Sequence, residues 1–173
     1  TYHPMLKYLT DDIKKTGVVG CGGLGHMAIQ FLHKMSKHVT AFTTSSKKVD
    51  LLKKLGADKI VVSTDPEQMK AATCSIEFLI NTVPNDIDIE QYLACVERAG
   101  KFVQVGMPAA GDTMKINVNA FVGTEVELVG GVVGPRKNIN NMIDFCNKND
   151  VYPIVEEFPF EDLPKAFDKL ENG

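Results

Sequence analysis

Residues 17–28 read Gly-Val-Val-Gly-Cys-Gly-Gly-Leu-Gly-His-Met-Ala, an apolar strand that runs into spaced glycines and then into an amphipathic helix. Gly20 permits a tight turn, Gly22 lets the backbone approach a pyrophosphate, and Gly25 allows the helix to pack closely on the strand. The helix N-terminus offers unpaired N–H groups and a partial positive charge to phosphate groups. Because strand, turn and helix occur in the required order, the stretch predicts a dinucleotide-binding turn.

The rest of the chain alternates apolar segments with amphipathic ones. We predict strands at residues 15–20, 39–43, 59–63, 76–83, 101–106 and 126–131. Helices are predicted at 24–35 and at 46–55, with Gly56 as the C-cap of the second. Further helices are predicted from 65, at 89–97, from 135 with an apolar stripe, and over 163–170. An extended piece at 154–158 precedes the last helix. Strands that are apolar throughout imply a parallel sheet covered on both faces. The predicted fold class is α/β, a Rossmann fold with a doubly wound six-stranded parallel sheet.

Bulk composition predicts one globular domain over residues 1–173. The chain is 44% hydrophobic and 24% charged, with a formal net charge of −3 and no basic face, which argues against nucleic acid as a partner. No apolar run approaches the roughly 20 residues of a membrane span, and no secretory leader opens the chain. Four widely spaced cysteines, at positions 21, 74, 95 and 146, form no local metal-ligand pair. We therefore expect reduced thiols and a cytoplasmic location.

The end of the second predicted strand indicates which dinucleotide is bound. Residues 42–48 read Phe-Thr-Thr-Ser-Ser-Lys-Lys, and no acidic residue occurs there before Asp50. An NAD site places a carboxylate on the ribose at this position, whereas hydroxyl groups and lysines suit a 2′-phosphate. NADP is therefore predicted, with NAD less favoured. The same stretch is also interpreted as a helix N-cap at Ser45 or Ser46 with surface lysines, and both interpretations can hold together.

Four motifs together resemble one family. These are Gly20-Cys-Gly-Gly-Leu-Gly-His, Thr43-Thr-Ser-Ser-Lys-Lys, Leu55-Gly-Ala-Asp and Asn81-Thr-Val-Pro. They resemble the zinc-dependent medium-chain alcohol dehydrogenases, in particular the cinnamyl alcohol dehydrogenase branch, which uses NADP. The resemblance covers essentially the whole chain but only the cofactor domain of that family. It implies a piece of a longer enzyme, whose zinc ligands lie in a catalytic domain before Thr1 and whose closing segment follows Gly173.

The resemblance also implies a set of cofactor contacts. The pyrophosphate would lie on the turn from Gly20 to Gly25, chiefly on backbone N–H groups of Gly22, Gly23 and Leu24. Around the 2′-phosphate we expect Thr43, Thr44, Ser45 and Lys48. Contacts near the nicotinamide are expected from Thr82, from the backbone of Gly106, and from the carboxamide-binding run Gly131, Val132 and Val133. No catalytic residue and no metal ligand is expected within residues 1–173.

Three positions qualify this picture. Gly131 and Val132 stand where the branch commonly carries serine and a bulky aromatic residue, so an aromatic alcohol is not predicted as the substrate. Cys21 replaces an aliphatic residue, and we expect either buried packing or a thiol acidified by the helix N-terminus. His26 is expected to have a packing or phosphate-side role rather than that of a catalytic base.

By resemblance, the whole enzyme moves a hydride between NADP(H) and a small alcohol/aldehyde pair, with zinc as Lewis acid. The chain alone is expected to bind cofactor without turnover. The resemblance also implies a homodimer through the sixth strand, near Val126–Val133. One alternative is a zinc-free quinone or enone reductase, which usually has alanine in place of Gly20. Another is a non-catalytic nucleotide-sensing module. A methyltransferase is least favoured, because an acidic residue usually ends its second strand.

Overall fold

The computed structural model describes residues 1–84 and 87–172. Its sheet has six parallel strands in the order β3-β2-β1-β4-β5-β6. The strands are β1 (Lys15–Val19), β2 (His38–Thr43), β3 (Lys59–Val62), β4 (Ile76–Asn81), β5 (Val96–Gln104) and β6 (Glu127–Gly130). This is the doubly wound order of a Rossmann fold, as predicted.

Eight α-helices precede, connect or follow these strands in the described part of the chain. They are α1 (Tyr2–Tyr8), α2 (Gly25–Lys34), α3 (Val49–Lys54), α4 (Pro66–Lys70), α5 (Ile89–Leu93), α6 (Val118–Thr124), α7 (Arg136–Asn149) and α8 (Leu163–Asn172). Short 3₁₀ turns at Ser46–Lys48 and Phe160–Asp162 precede α3 and α8. Among the described residues, no helix is both long and apolar enough to cross a membrane.

Successive side chains of a strand point to opposite faces of the sheet. They therefore contribute to two hydrophobic cores, one on each face. Val18 packs with α1 and α2 residues, whereas its neighbour Val19 packs with residues from α4 and α5. On the first face, the rings of Tyr2, Phe31 and Phe145 lie 5.1–6.1 Å apart and join α1, α2 and α7. Truncating a buried ring such as Phe31 costs about 3–5 kcal/mol, so this cluster anchors α2 against the sheet.

The predicted helix at 89–97 is too long. It ends at Leu93, and β5 begins at Val96. The reason is backbone pairing next to β4: the N–H of Cys74 donates to Ala94 O at 3.0 Å, and that of Ser75 donates to Cys95 O at 2.9 Å. Carbonyls taken by a neighbouring segment are not available to continue a helix.

The structure also differs from the prediction in two additional helices and in which apolar helix faces are covered. The helices α1 and α6 were not predicted. In α7, Met142 and Cys146 pack on the core, whereas Ile139 and Ile143 are exposed. The apolar side chains of α8 are likewise exposed, namely Leu163, Phe167 and Leu170.

Candidate functional site

The connections from β1 and from β4 run in opposite directions along the sheet, which opens a crevice at the carboxyl ends of these neighbouring strands. Such switch points are where open α/β sheets bind ligands. A groove of about 480 Å³ lies there. We call it the switch-point groove, and it is lined by Gly20, Gly22, Gly23, Leu24, Thr82, Val83, Pro84, Gly106 and Met107.

A larger open hollow of about 750 Å³ lies elsewhere, over the start of α5 and the loop at 111–115. Charged side chains line it, among them Asp88, Asp112 and Lys115. It includes no residue of β1 or of the turn after it, so we assign the candidate site to the smaller groove.

The turn at residues 20–25, here called the glycine turn, has the geometry of a phosphate cradle. Gly20 adopts a left-handed φ of +81°, and a Cβ at Gly25 would lie 1.7 Å from Gly20 O, so α2 starts directly against the turn. Nothing lies within 4 Å of a Cβ built at Gly22 or at Gly23. Because no described atom fills that space, the turn has room for a ligand against its backbone N–H groups, and a pyrophosphate fits.

His26 supports this turn through both ring nitrogens. Its Nδ1–H donates to Gly22 O at 3.1 Å, and its Nε2 accepts the N–H of Ile154 at 3.1 Å. Gln30, one turn further along α2, donates to Tyr152 O at 3.0 Å. Since both nitrogens of His26 are engaged within the protein, its role here is to connect the glycine turn with residues 152–154. The attachment of residues 152–154 to α2 had no signal in hydropathy or spacing.

Cys21 is not the acidified thiol considered as one expectation. Burial raises the pKa of Cys21 to about 11, although the Lys48 ammonium nearby opposes the shift. Its Sγ–H lies 3.4 Å from Phe42 O and donates to it. Desolvation of the thiolate therefore outweighs any help from the helix N-terminus, and Cys21 is a packing residue.

The residues after β2 divide into two groups. Thr43 is buried, and its Oγ1 accepts the N–H of Ser45 at 3.2 Å. The Oγ of Ser45 accepts the N–H of Lys47 at 3.3 Å, so Ser45 is the N-cap of the 3₁₀ turn, as one interpretation had it. Thr44 and Lys48 are exposed, and the Lys48 ammonium lies near Cys21 of the glycine turn. The side chains of these last two are free to meet a ligand.

Thr82 and Gly106 complete the switch-point groove. The hydroxyl of Thr82 lies 2.7 Å from Gly20 O and donates to it, which joins the exit of β4 to the glycine turn. A Cβ at Gly106 would lie 2.1 Å from Val83 O. Only glycine at position 106 lets the exits of β4 and β5 approach so closely.

The run from Gly131 to Val133 lies one strand further along, after β6. The N–H of Gly131 donates to Gln104 O at 2.8 Å, and Val132 and Val133 are 69% and 85% exposed. The run does not line the switch-point groove. The structure thus brings the glycine turn, Thr82 and Gly106 together, and leaves the other predicted contacts on either side of them along one sheet edge.

A zinc ion does not fit the residues described. In the ranges 1–84 and 87–172, no three His, Cys, Asp or Glu side chains converge on a possible metal position. The cysteines at 21, 74, 95 and 146 are free thiols. No step involving a metal is therefore derived from this part of the chain.

Similar proteins of known structure share this fold. A cinnamyl alcohol dehydrogenase of Sorghum bicolor superposes with a TM-score of 0.92 at 34% identity, over 98% of this chain and 48% of its own. The Helicobacter pylori enzyme complexed with NADP(H) gives 0.85 at 27% identity, over 99% and 48%. Acetophenone reductase of Geotrichum candidum, in complex with NAD, gives 0.83 at 26% identity, over 99% and 49%.

Sequence comparison gives the same result. The aldehyde reductase YahK of Escherichia coli (strain K12) is 32% identical over 100% of this chain and 49% of its own length. The chain thus spans about half the length of the relatives it matches. Residues 23–148, which include the second half of the glycine turn and the five strands β2 to β6, match the family model described as zinc-binding dehydrogenase. The chain belongs to the zinc-binding dehydrogenase family.

Proposed function

We propose that residues 1–173 are the NADP(H)-binding domain of a longer, zinc-dependent alcohol dehydrogenase that interconverts alcohols and aldehydes by hydride transfer. The observation that carries this proposal is the open glycine cradle at the switch point of a chain in this family. The substrate class follows from relatives named as cinnamyl alcohol dehydrogenase and aldehyde reductase. Zinc ligands and most of the substrate pocket are assigned to the remaining half of the enzyme.

In this proposal the chain binds and orients the dinucleotide. Backbone N–H groups of Gly22, Gly23 and Leu24 donate to the pyrophosphate at the start of α2. Thr82 and Gly106 border the nicotinamide side of the switch-point groove. When bound, the nicotinamide supplies hydride transfer, which the protein assists by orientation and electrostatics.

NADP is proposed over NAD on the residues after β2. Thr44 offers a hydroxyl and Lys48 an ammonium group at the surface, and no carboxylate occurs in residues 43–49 to repel a 2′-phosphate. Charge-assisted hydrogen bonds from such groups favour a phosphate. Thr43 and Ser45 shape this loop through the bonds described above, and their backbone borders the same site.

The test is a calorimetric titration of the chain with NADPH and with NADH, beside an assay for turnover of alcohols and aldehydes. We expect NADPH to bind about tenfold or more tightly than NADH, and no turnover. Equal binding would show that the assignment of NADP is wrong and leave the dinucleotide site intact. A folded chain that binds neither would contradict cofactor binding by residues 1–173 alone, and a nucleotide-sensing module would then be tested with other nucleotides.

We also propose a homodimer formed through the sixth strand. β6 is an edge strand with one side of its backbone unpaired, and the apolar Val132 and Val133 follow it. Pairing of two such edges would bury both. Sedimentation should give a dimer for the unaltered chain and a monomer for a Val133→Lys variant.

We further propose a cytoplasmic location, with which the free thiols accord.

A further inference from the structure

Two amide side chains, one buried and one half-buried, face each other where β4 and β5 end. Asn81, the last residue of β4, is 1% exposed and lies opposite Gln104, the last residue of β5. The Nδ2–H of Asn81 donates to Gln104 Oε1 at 2.7 Å. Amide side chains are rare this deep in a sheet, because each polar atom needs a partner.

The other polar atoms of the pair bind the backbone just beyond the strands. The Oδ1 of Asn81 accepts the N–H of Val83 at 3.1 Å. The Nε2–H of Gln104 donates to Gly106 O at 2.7 Å. Val83 and Gly106 both line the switch-point groove. The amide pair therefore connects two groove-lining segments through side-chain hydrogen bonds.

These segments touch each other closely, so small shifts matter. A Cβ at Gly106 would lie 2.1 Å from Val83 O, and the N–H of Gly106 donates to Asn81 O at 3.1 Å. The net stability gained from such an amide pair is modest, since replacing both by apolar side chains of the same shape can be nearly neutral. Its hydrogen bonds are directional, so unlike contacts between apolar side chains they fix the orientation of two backbone segments.

We propose that the Asn81–Gln104 amide pair is a positioning element for the nicotinamide half of the dinucleotide site. By holding Val83 and Gly106 in register, it sets the shape of the part of the groove that lies across from the glycine turn. The adenosine half of the site, after β2, is independent of it. This inference rests on the proposed function, because it presupposes that a dinucleotide occupies the groove.

The test compares two probes, NADPH and adenosine 2′,5′-bisphosphate, which carries the adenosine and 2′-phosphate but no nicotinamide. Gln104→Met keeps the length of the side chain and removes its hydrogen bonds. We expect it to weaken NADPH binding about tenfold and to change bisphosphate binding by less than about twofold. Equal weakening of both probes, or no change in either, would overturn the proposal.

Two further variants control for folding. Thr16→Val removes a buried hydroxyl that donates to His38 O at the opposite end of the sheet, so it should lower the unfolding midpoint without changing either affinity. Asn81→Asp keeps the acceptor for Val83 N–H but forces the amide of Gln104 to turn toward the carboxylate, away from Gly106. If Gln104→Met fails to fold, Asn81→Asp should still weaken NADPH selectively. Failure of the unaltered chain to bind either probe would instead contradict the proposed function.

Discussion

The backbone N–H of Ile154 donates to Nε2 of His26 at 3.1 Å and attaches the segment after α7 to the first turn of α2. On the other side of the ring, Nδ1–H donates to Gly22 O at 3.1 Å. One imidazole thus joins the glycine turn to a segment 128 residues away in sequence. The glycine turn is therefore held by a contact outside its own strand–turn–helix unit.

His26→Ala should release this attachment. We expect amide hydrogen exchange at Ile154 to accelerate about fivefold, consistent with loss of one exposed hydrogen bond of about 1 kcal/mol. Exchange measured by NMR is the readout. Gln30→Ala is the matched control, since it removes the bond to Tyr152 O and leaves the acceptor of Ile154 in place. If the amide of Ile154 were equally protected from exchange in His26→Ala, His26 would not be what attaches this segment to α2.

Two glycines of the same turn should respond in opposite ways to alanine. At Gly25 the new methyl group would lie 1.7 Å from Gly20 O, so the backbone must shift, and we expect a loss of about 1–3 kcal/mol of stability. At Gly22 nothing lies within 4 Å, so the fold should be kept while the methyl group obstructs the pyrophosphate. Urea unfolding and NADPH titration separate the two effects. A Gly22→Ala chain that binds NADPH normally would exclude the cradle as the phosphate site.

Much of this architecture was predictable because its signals are local. The glycine turn is encoded within residues 17–28, and its strand, turn and helix fold as one unit. Alternation of apolar strands with helices gave the parallel sheet, since right-handed crossovers leave few arrangements of such units. The strand-end positions of Thr82 and Gly106 followed from that alternation.

What could not be predicted depends on contacts distant in sequence. The pairing of Asn81 with Gln104 requires the register of β4 against β5, which no spacing reveals. The helix at 89–97 was overextended because carbonyls of Ala94 and Cys95 are taken by residues 74–76. Apolar periodicity also cannot tell a covered face from an exposed one, as the exposed side chains of α8 demonstrate.

Lys48, rather than its neighbour Lys47, should recognise the 2′-phosphate. Both side chains are exposed, but the Lys48 ammonium is near enough to the glycine turn to act on Cys21. Lys48→Ala should weaken NADPH about tenfold and leave NADH unchanged, because only NADPH carries the additional phosphate. Lys47→Ala is the matched control and should change neither affinity. An equal effect of both variants would mean that the lysines attract the ligand only through general surface charge.

The buried thiols should make the fold sensitive to high pH. Burial raises the pKa of Cys21 and of Cys95 to about 11, from an ordinary value of 9.0. The folded state therefore disfavours both thiolates. The contribution of the protonated thiols to the free energy of unfolding is complete below pH 9, and it is lost as the pH rises through about 11. Between pH 8 and pH 10 the loss should be about 1 kcal/mol for each thiol.

Urea unfolding at the two pH values measures this loss. A Cys21→Ala, Cys95→Ala double variant should lose less stability over the interval than the unaltered chain, since it has no buried thiol at either position to ionise on unfolding. Cys74→Ala is the control. Because the Cys74 side chain is exposed in the folded state, its removal should not change the loss of stability between pH 8 and pH 10. Iodoacetamide at pH 8 should accordingly modify Cys74 first. Faster labelling of Cys21 would mean that its thiol is reactive and that burial does not govern its ionisation.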